Sequence, residues 1–314
     1  GYKVTMLRPG GGTGGKVADE GSPNTDVYDL SSRRLGFHWD PHFIHWLETN
    51  GYQVDYCTDL DIHEDKDLNL LSAYRLLLSV GHDEYWSEEM RKHVETFIVR
   101  GGNVAFFSGN TCWWRVEYDD GNTAIVCKKP DEASWWKIGR PENTLTGVSY
   151  RCAGGRWTGE RAAVGYTVQH ADHWVYEGTG LHNGDVFGKN AHLIGYECDG
   201  AFFGSNRDSQ GFFAPTGDDQ TPKDFKILGY SLLEKNAQPP WEDLPQPPKD
   251  ETTSGSREKV LVGSNAATMG IYIRNGTVFT AATTDWVRVL AISGEKAVEQ
   301  ITHNVLRRLS TRKS

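Results

Sequence analysis

The stretch from Arg75 to Phe107 constrains this chain more than any other. Arg75 to Val80 is apolar nearly throughout, as expected of a strand covered on both faces. Ser87 then stands as an N-cap, with Glu88 and Glu89 at the positive end of the helix dipole. Met90, Val94, Phe97 and Ile98 make one apolar stripe, and Gly101-Gly102 ends the helix. Asn103 to Phe107 returns as a second buried strand. Strand, helix and strand at this spacing predict a βαβ unit with a right-handed crossover, hence a parallel sheet. In open parallel sheets the ligand crevice lies outside the carboxyl ends of the strands. Two segments fall there: Gly81 to Trp86, and Ser108-Gly109-Asn110-Thr111.

The flanks extend this pattern. Lys3 to Leu7 predicts a first strand, Phe43 to Asn50 a short helix closed by Gly51, and Tyr52 to Cys57 another strand. The glycine-rich stretch Pro9 to Gly15 leads into acidic, turn-forming residues and not into a helix starting with Lys-Ser/Thr, so it is a loop and not a phosphate cradle. Ile271 to Ile273 and Val278 to Ala281 predict a hairpin across Asn275-Gly276. Glu295 to Leu309 predicts a closing helix with the stripe Val298, Ile301, Val305 and Leu309. Periodicity fades over 117–160, which is expected to be an insertion over the sheet edge. The proline-rich stretch 236–258 is expected to be a solvated excursion or linker. The expectation is one α/β domain over 1–314: a parallel sheet of flavodoxin-like type with helices on both faces, plus β-rich insertions.

Charge and cysteine usage narrow the partners. A net charge of -9 argues against nucleic acid, since phosphate binding needs a cationic surface. No apolar run approaches bilayer-spanning length, so no membrane role is expected. The chain's five cysteines are widely spaced and include no Cys-x-x-Cys pair, which suits a cytoplasmic thiol protein. Secretion stays open, because the chain opens at Gly1 without Met and a signal peptide can have been removed. A small-molecule substrate is the expected partner, and the sequence is compatible with a homo-oligomer.

Several polar groups could carry chemistry. His82, Asp83, Glu84 and Tyr85 place four ionisable side chains at one strand end, where burial shifts pKa values; helix capping by the two acids is the alternative. His38, Asp40 and His42 alternate, which suits a metal if the segment is extended, although Asp40 with Pro41 also makes a helix entry. His173 and Glu177, four residues apart, share one face of a helix or of a strand. Glu197 and Asp199 alternate with small or aromatic residues and are expected to face solvent. Cys112 is expected to be a packed thiol beside Trp113 and Trp114. The sequence holds no Gly-x-Ser-x-Gly and no His-Glu-x-x-His, which removes the main serine-hydrolase and zincin patterns.

The chain resembles the C-terminal catalytic region of the N,N-dimethylformamidase large-subunit family. The likeness rests on Phe43 to Tyr52, on Ser79 to Ser87 with its Gly-His-Asp-Glu-Tyr-Trp signature, and on Phe106 to Thr111. Glu177 to Leu181 and Gly195 to Asp199 support it, with a weaker echo at Thr284-Asp285-Trp286. The resemblance implies a glutamine-amidotransferase-like fold and hydrolysis of a small amide at a mononuclear ferric centre held by two tyrosines and a glutamate. Tyr85 matches the signature tyrosine and Glu177 the glutamate. The other tyrosine falls near Pro41, so Asp40 or His42 would replace it, and such ligation favours ferrous iron or zinc. His82, Glu84 and His173 would transfer protons, with Asn110 beside them on the rim.

A second class of function remains open: a non-catalytic module that binds carbohydrate or a small molecule. The 11 tryptophans, including the pairs Trp113-Trp114 and Trp135-Trp136, could stack on a sugar or planar ligand. A third is an enzyme that keeps the fold and has changed its reaction.

Overall fold

The structure is a computed structural model and describes residues 3–7, 39–129, 133–153, 155–156, 163–195, 197–233, 266–292 and 294–311. The glycine-rich stretch 9–15, His38 and the proline-rich stretch 236–258 lie outside the described residues.

In chain order the strands are β1 (Lys3–Thr5), β2 (Leu76–His82), β3 (Tyr85–Ser87), β4 (Asn103–Gly109), β5 (Trp114–Asp119), β6 (Ala124–Val126), β7 (Gly155–Arg156), β8 (Tyr166–Val168), β9 (Val186–Phe187), β10 (Glu197–Cys198), β11 (Lys226–Leu232), β12 (Ala266–Arg274) and β13 (Gly276–Thr280). The helices are α1 (Asp40–Thr49), α2 (Asp59–His63), α3 (Glu88–Val99), α4 (Asn143–Thr146), α5 (Tyr150–Ala153), α6 (Trp286–Ile292) and α7 (Lys296–Ser310).

The central sheet has seven strands in the order β2-β4-β13-β12-β11-β8-β9. Only β2–β4 and β4–β13 are parallel, and the other four pairings are antiparallel. The expectation of a flavodoxin-like parallel sheet with helices on both faces is therefore overturned. The βαβ unit read from the sequence, β2–α3–β4, is present. β11–β12 and β12–β13 pair antiparallel, and β12 and β13 are joined by a tight turn where a parallel step would need a crossover helix. β1, β6 and β5 form a second, largely antiparallel sheet that β3 joins in parallel. The predicted strand Tyr52 to Cys57 pairs with no strand among the described residues: that segment runs beside β2 into Thr58, which caps α2.

Two apolar layers cover the central sheet. One packs α1, α6 and α7 against Ala105, Phe107, Met269 and Phe279. Trp286 lies at its centre with no exposure. The α7 stripe predicted from sequence is buried as read, with Leu306 added, and each such side chain contributes on the order of 1.5–3 kcal/mol by leaving water. The other layer packs α3 and irregular segments around Trp135, Leu145 and Phe203 against Val104, Phe106 and Val278. Thus α1, α6 and α7 cover one face, while α3 shares the other with extended chain.

The α3 boundaries follow the sequence. The Ser87 hydroxyl accepts from the Met90 N–H at 3.1 Å, and Gly101 takes a left-handed φ of 96° after the last turn. The hairpin also holds: Asn275 adopts φ 59° between β12 and β13, and its side chain donates to the Val99 carbonyl at 2.8 Å. Among the described residues no helix is long and apolar enough to cross a membrane.

Candidate active site

β2 and β4 run parallel in register to their last residues, with Gly81 opposite Ser108 and His82 opposite Gly109. This places both predicted rim segments side by side. Gly109 permits a third segment to close in: a Cβ there would stand 2.7 Å from the Glu197 carbonyl oxygen and 2.7 Å from the Thr284 nitrogen. β10 is thereby brought against the rim. Glu197 and Asp199, expected to face solvent, are instead 5 % and 1 % exposed.

After β4 the chain turns through Asn110 at φ 49°. The turn is fastened from below, since the Asn110 and Thr111 N–H groups donate to the Asp199 carboxylate at 2.9 and 3.2 Å. Burial pushes Asp199 up to about 8, against the opposing pull of those two donors. It is a protonated or weakly ionised anchor at neutral pH. Ser79, Ser108 and Thr111 continue the support: Ser79 donates to Asp83 at 2.6 Å, and the hydroxyls of Ser108 and Thr111 meet at 2.8 Å.

On this base four side chains converge. His82 Nε2 lies 2.5 Å from Glu197 Oε2 and 3.8 Å from Glu84 Oε2. Asn110 Nδ2 donates to Glu84 Oε1 at 3.2 Å and to Glu197 Oε2 at 3.1 Å. The Trp114 indole N–H donates to Glu84 Oε1 at 2.8 Å, and the Tyr150 hydroxyl faces Glu197 Oε1 at 3.4 Å. Burial by itself would lower the His82 pKa, but the Glu197 carboxylate on its ring, with Glu84 and Asp83 behind, raises it above the ordinary histidine value. His82 accordingly holds its proton more tightly than an ordinary histidine, between two carboxylates. Trp39 stacks on its other side, with ring centroids 5.8 Å apart.

Tyr85 sits at the outer margin and is 37 % exposed. Burial of its inner side, then the charge of Glu84 and a hydrogen bond to it, raise the phenol pKa far above the usual range. The phenol is therefore protonated and donates to Glu84. Lys129 Nζ donates to the Tyr85 oxygen at 2.5 Å and lies over the Tyr85 and Trp114 rings at 4.5 and 4.6 Å.

The remaining predicted residues lie outside this cluster, Asp40 nearest to it and close enough to act on Asp83. Asp40 and His42 both fall in the first turn of α1. Burial raises Asp40, whereas burial, Arg288 and His45 lower His42. His173 caps a single 3-10 turn and Glu177 ends it. Glu177 is exposed, and its carbonyl accepts from Asn304 of α7 at 2.7 Å. Of the predicted set, His82, Glu84, Tyr85 and Asn110 share one cluster; Glu177, His173, Asp40 and His42 do not join it. The cluster takes Glu197, Tyr150, Trp114 and Lys129 in their place.

The only sequence signal for Glu197 is its place in the short run that carried the family likeness. Tyr150 and Lys129 had none, because their positions depend on how the 117–160 stretch folds back. The tryptophan pairs do not make an open stacking surface: Trp113, Trp114 and Trp135 are 5 %, 5 % and 0 % exposed. Cys112 is fully buried and burial raises its thiol pKa.

A mixed sheet whose parallel rim holds a half-buried histidine between two glutamates defines the class. The chain belongs to the N,N-dimethylformamidase beta subunit-like, C-terminal family, whose model matches residues 1–301. It is 32% identical over 78 residues to an N,N-dimethylformamidase beta subunit from Alcaligenes sp, covering 25% of this chain and 10% of that protein. It is 31% identical over 77 residues to one from Paracoccus aminophilus, covering 24% and 10%. The aligned part thus spans about a tenth of the length of these curated relatives.

Proposed function

We infer that this chain hydrolyses the carbon–nitrogen bond of a small amide at the His82, Glu84, Asn110 and Glu197 cluster. The observation that carries the reading is the half-buried His82 ring 2.5 Å from Glu197 and within reach of Glu84. Amide hydrolysis needs a base to take a proton from water and an acid to protonate the departing nitrogen. Glu84, fixed by Trp114 and Asn110, is placed to accept the first proton. His82, whose proton Glu197 stabilises, donates the second. The Asn110 amide holds both carboxylates at one separation, so that neither swings away when the histidine loses its proton.

The donor chemistry around Glu197 also suits the ferric ion that the family likeness implies. Among the described residues no group of three or more His, Cys, Asp and Glu side chains could hold a metal ion, so a metal here has to draw on phenols. Tyr85 and Tyr150 supply two, and Glu197 Oε1, on the side away from His82, faces Tyr150. This all-oxygen set fits a hard cation. Tyr85, Tyr150 and Glu197 would hold the iron, which when bound would polarise the amide carbonyl.

The test is turnover of formamide, N-methylformamide and N,N-dimethylformamide by the purified chain, with iron content and visible absorption recorded on the same sample. Glu84→Gln and His82→Asn should each reduce kcat/KM by about two to four orders of magnitude. Activity within about tenfold of the parent in both variants would remove the assignment.

A further inference from the structure

A cavity of about 830 Å³ lies along the free edge of β2. Among the described residues β2 pairs with β4 alone and is the edge strand of the seven-stranded sheet, so the two apolar layers meet beyond it. Phe43 and Leu47 come from one layer, Ile62, Leu71 and Met90 from the other. The segment Tyr52 to Thr58 contributes to the lining. Toward the carboxyl end of β2 the lining changes character to Ser79, His82 and Asp83, joined by Asp40 and Asp59. These three aspartates sit close enough to act on one another. The charges of Asp83 and Asp40 act on Asp59, which with Asp40 is exposed at this end while Asp83 is half-buried. Among the described residues of the lining, Arg75 is the sole Arg or Lys. The cavity is thus an apolar trough with three aspartates gathered at the end where His82 stands.

The His82 ring is shared by both compartments. Its Nε2 meets Glu197 and Glu84, and the residue also lines the trough. An amide cleaved at the cluster therefore has space for one of its two halves beside β2. A one-carbon amide of a few heavy atoms would occupy a small part of this volume, which is in the range of pockets that enclose drug-sized ligands. The half that suits the charge is the amine. Hydrolysis forms a carbon–oxygen bond from water and breaks the carbon–nitrogen bond. Both water protons end on nitrogen, so the products of an N-alkyl amide are a carboxylate and an alkylammonium.

We propose that this trough is the binding site for the amine half of an N-alkyl amide, with the apolar substituent lying along β2 and the nitrogen received by Asp40, Asp59 and Asp83. The proposal rests on the hydrolase reading and assigns its substrate class: amides whose nitrogen carries an extended apolar chain.

Titration of the full chain with dimethylammonium, butylammonium, hexylammonium and octylammonium, and with octanol as the uncharged control, tests it by calorimetry. Affinity should rise by about threefold per added methylene until the trough is filled, and octanol should bind about tenfold more weakly than octylammonium. Val54→Trp, which places an indole in the trough from the loop side, should abolish the dependence on chain length. Asp59→Asn should lower octylammonium affinity by about tenfold. Turnover of N-methylformamide and N-octylformamide is measured in parallel, and kcat/KM should favour the octyl amide. Chain-length-dependent ammonium binding without turnover of any amide would keep the amine site and remove the hydrolase reading. Turnover of formamides with octylammonium bound no more tightly than dimethylammonium would overturn the amine site and leave the hydrolase reading standing.

Discussion

His82 and His173 are both histidines placed near a glutamate in sequence, and the fold gives them opposite electrostatic fates. His82 ends a strand of the parallel half, where Glu197, Glu84 and Asp83 raise its pKa despite burial. His173 opens a 3-10 turn where burial, Lys226 and His170 push it down to about 4. Its Nδ1 accepts from the Val175 N–H at 3.3 Å, a bond that needs the neutral ring. The same side chain is thus an acid in one place and a structural acceptor in the other. What differs is the charge that the tertiary fold sets beside it, because burial alone lowers both.

The contrast breaks most readily at Glu197. Glu197→Gln should lower kcat/KM by about two to four orders of magnitude, and should drop the His82 titration midpoint, followed by NMR, while His173 stays near its parent value. An unmoved His82 midpoint would mean that Glu197 does not hold the proton there.

Asp199 tests the anchor beneath that cluster. Its native pKa of about 8 lies above the unfolded value of about 3.9, so the folded chain binds the extra proton between those pH values. The stability linked to this group is complete below about pH 4 and is lost as pH rises to about 8. Asp199→Asn should flatten that part of the pH dependence of Tm, by roughly a few degrees. An identical slope in parent and variant would exclude Asp199 as its source.

His173 should act with the opposite sign. Its native pKa near 4 lies below the unfolded value of about 6.5, so the unfolded chain binds more protons and stability falls as pH drops from about 6.5 to 4. His173→Gln should lessen that loss by roughly a few degrees, measured by thermal melts at pH 4.5 and 7, with amide turnover at pH 7 retained. Lost turnover would return His173 to the active cluster. The smallest effect belongs to Glu177→Gln: an exposed carboxylate outside the cluster should change stability by less than about 0.5 kcal/mol and leave iron content unchanged. Loss of iron in this variant would restore the ligand assignment that the family likeness first suggested.

The two halves of the sheet were unequally legible. The βαβ unit from β2 through α3 to β4, the β12–β13 hairpin and α7 each carry their signals locally, in apolar period, caps and turn residues, so sequence suffices for them. The order of the remaining strands depends on which edges meet, and a short apolar strand has the same pattern in a parallel and an antiparallel pairing. That ambiguity is why a parallel sheet was expected where most pairings are antiparallel. Tyr52 to Cys57 has strand composition, yet composition cannot supply a hydrogen-bonding neighbour.

By itself the sequence determined which residues would stand at the rim of β2 and β4: His82, Glu84, Tyr85 and Asn110, fixed there by strand ends and by the cap of α3. Only the tertiary structure decided that Glu197, and not Glu177, would be their carboxylate partner. The physical reason is contact across distance. Gly109 lacks a side chain, so β10 can approach the rim and carry Glu197 to His82, while Glu177 is drawn to α7 by its own backbone hydrogen bond to Asn304. Neither approach leaves a periodic trace in the chain.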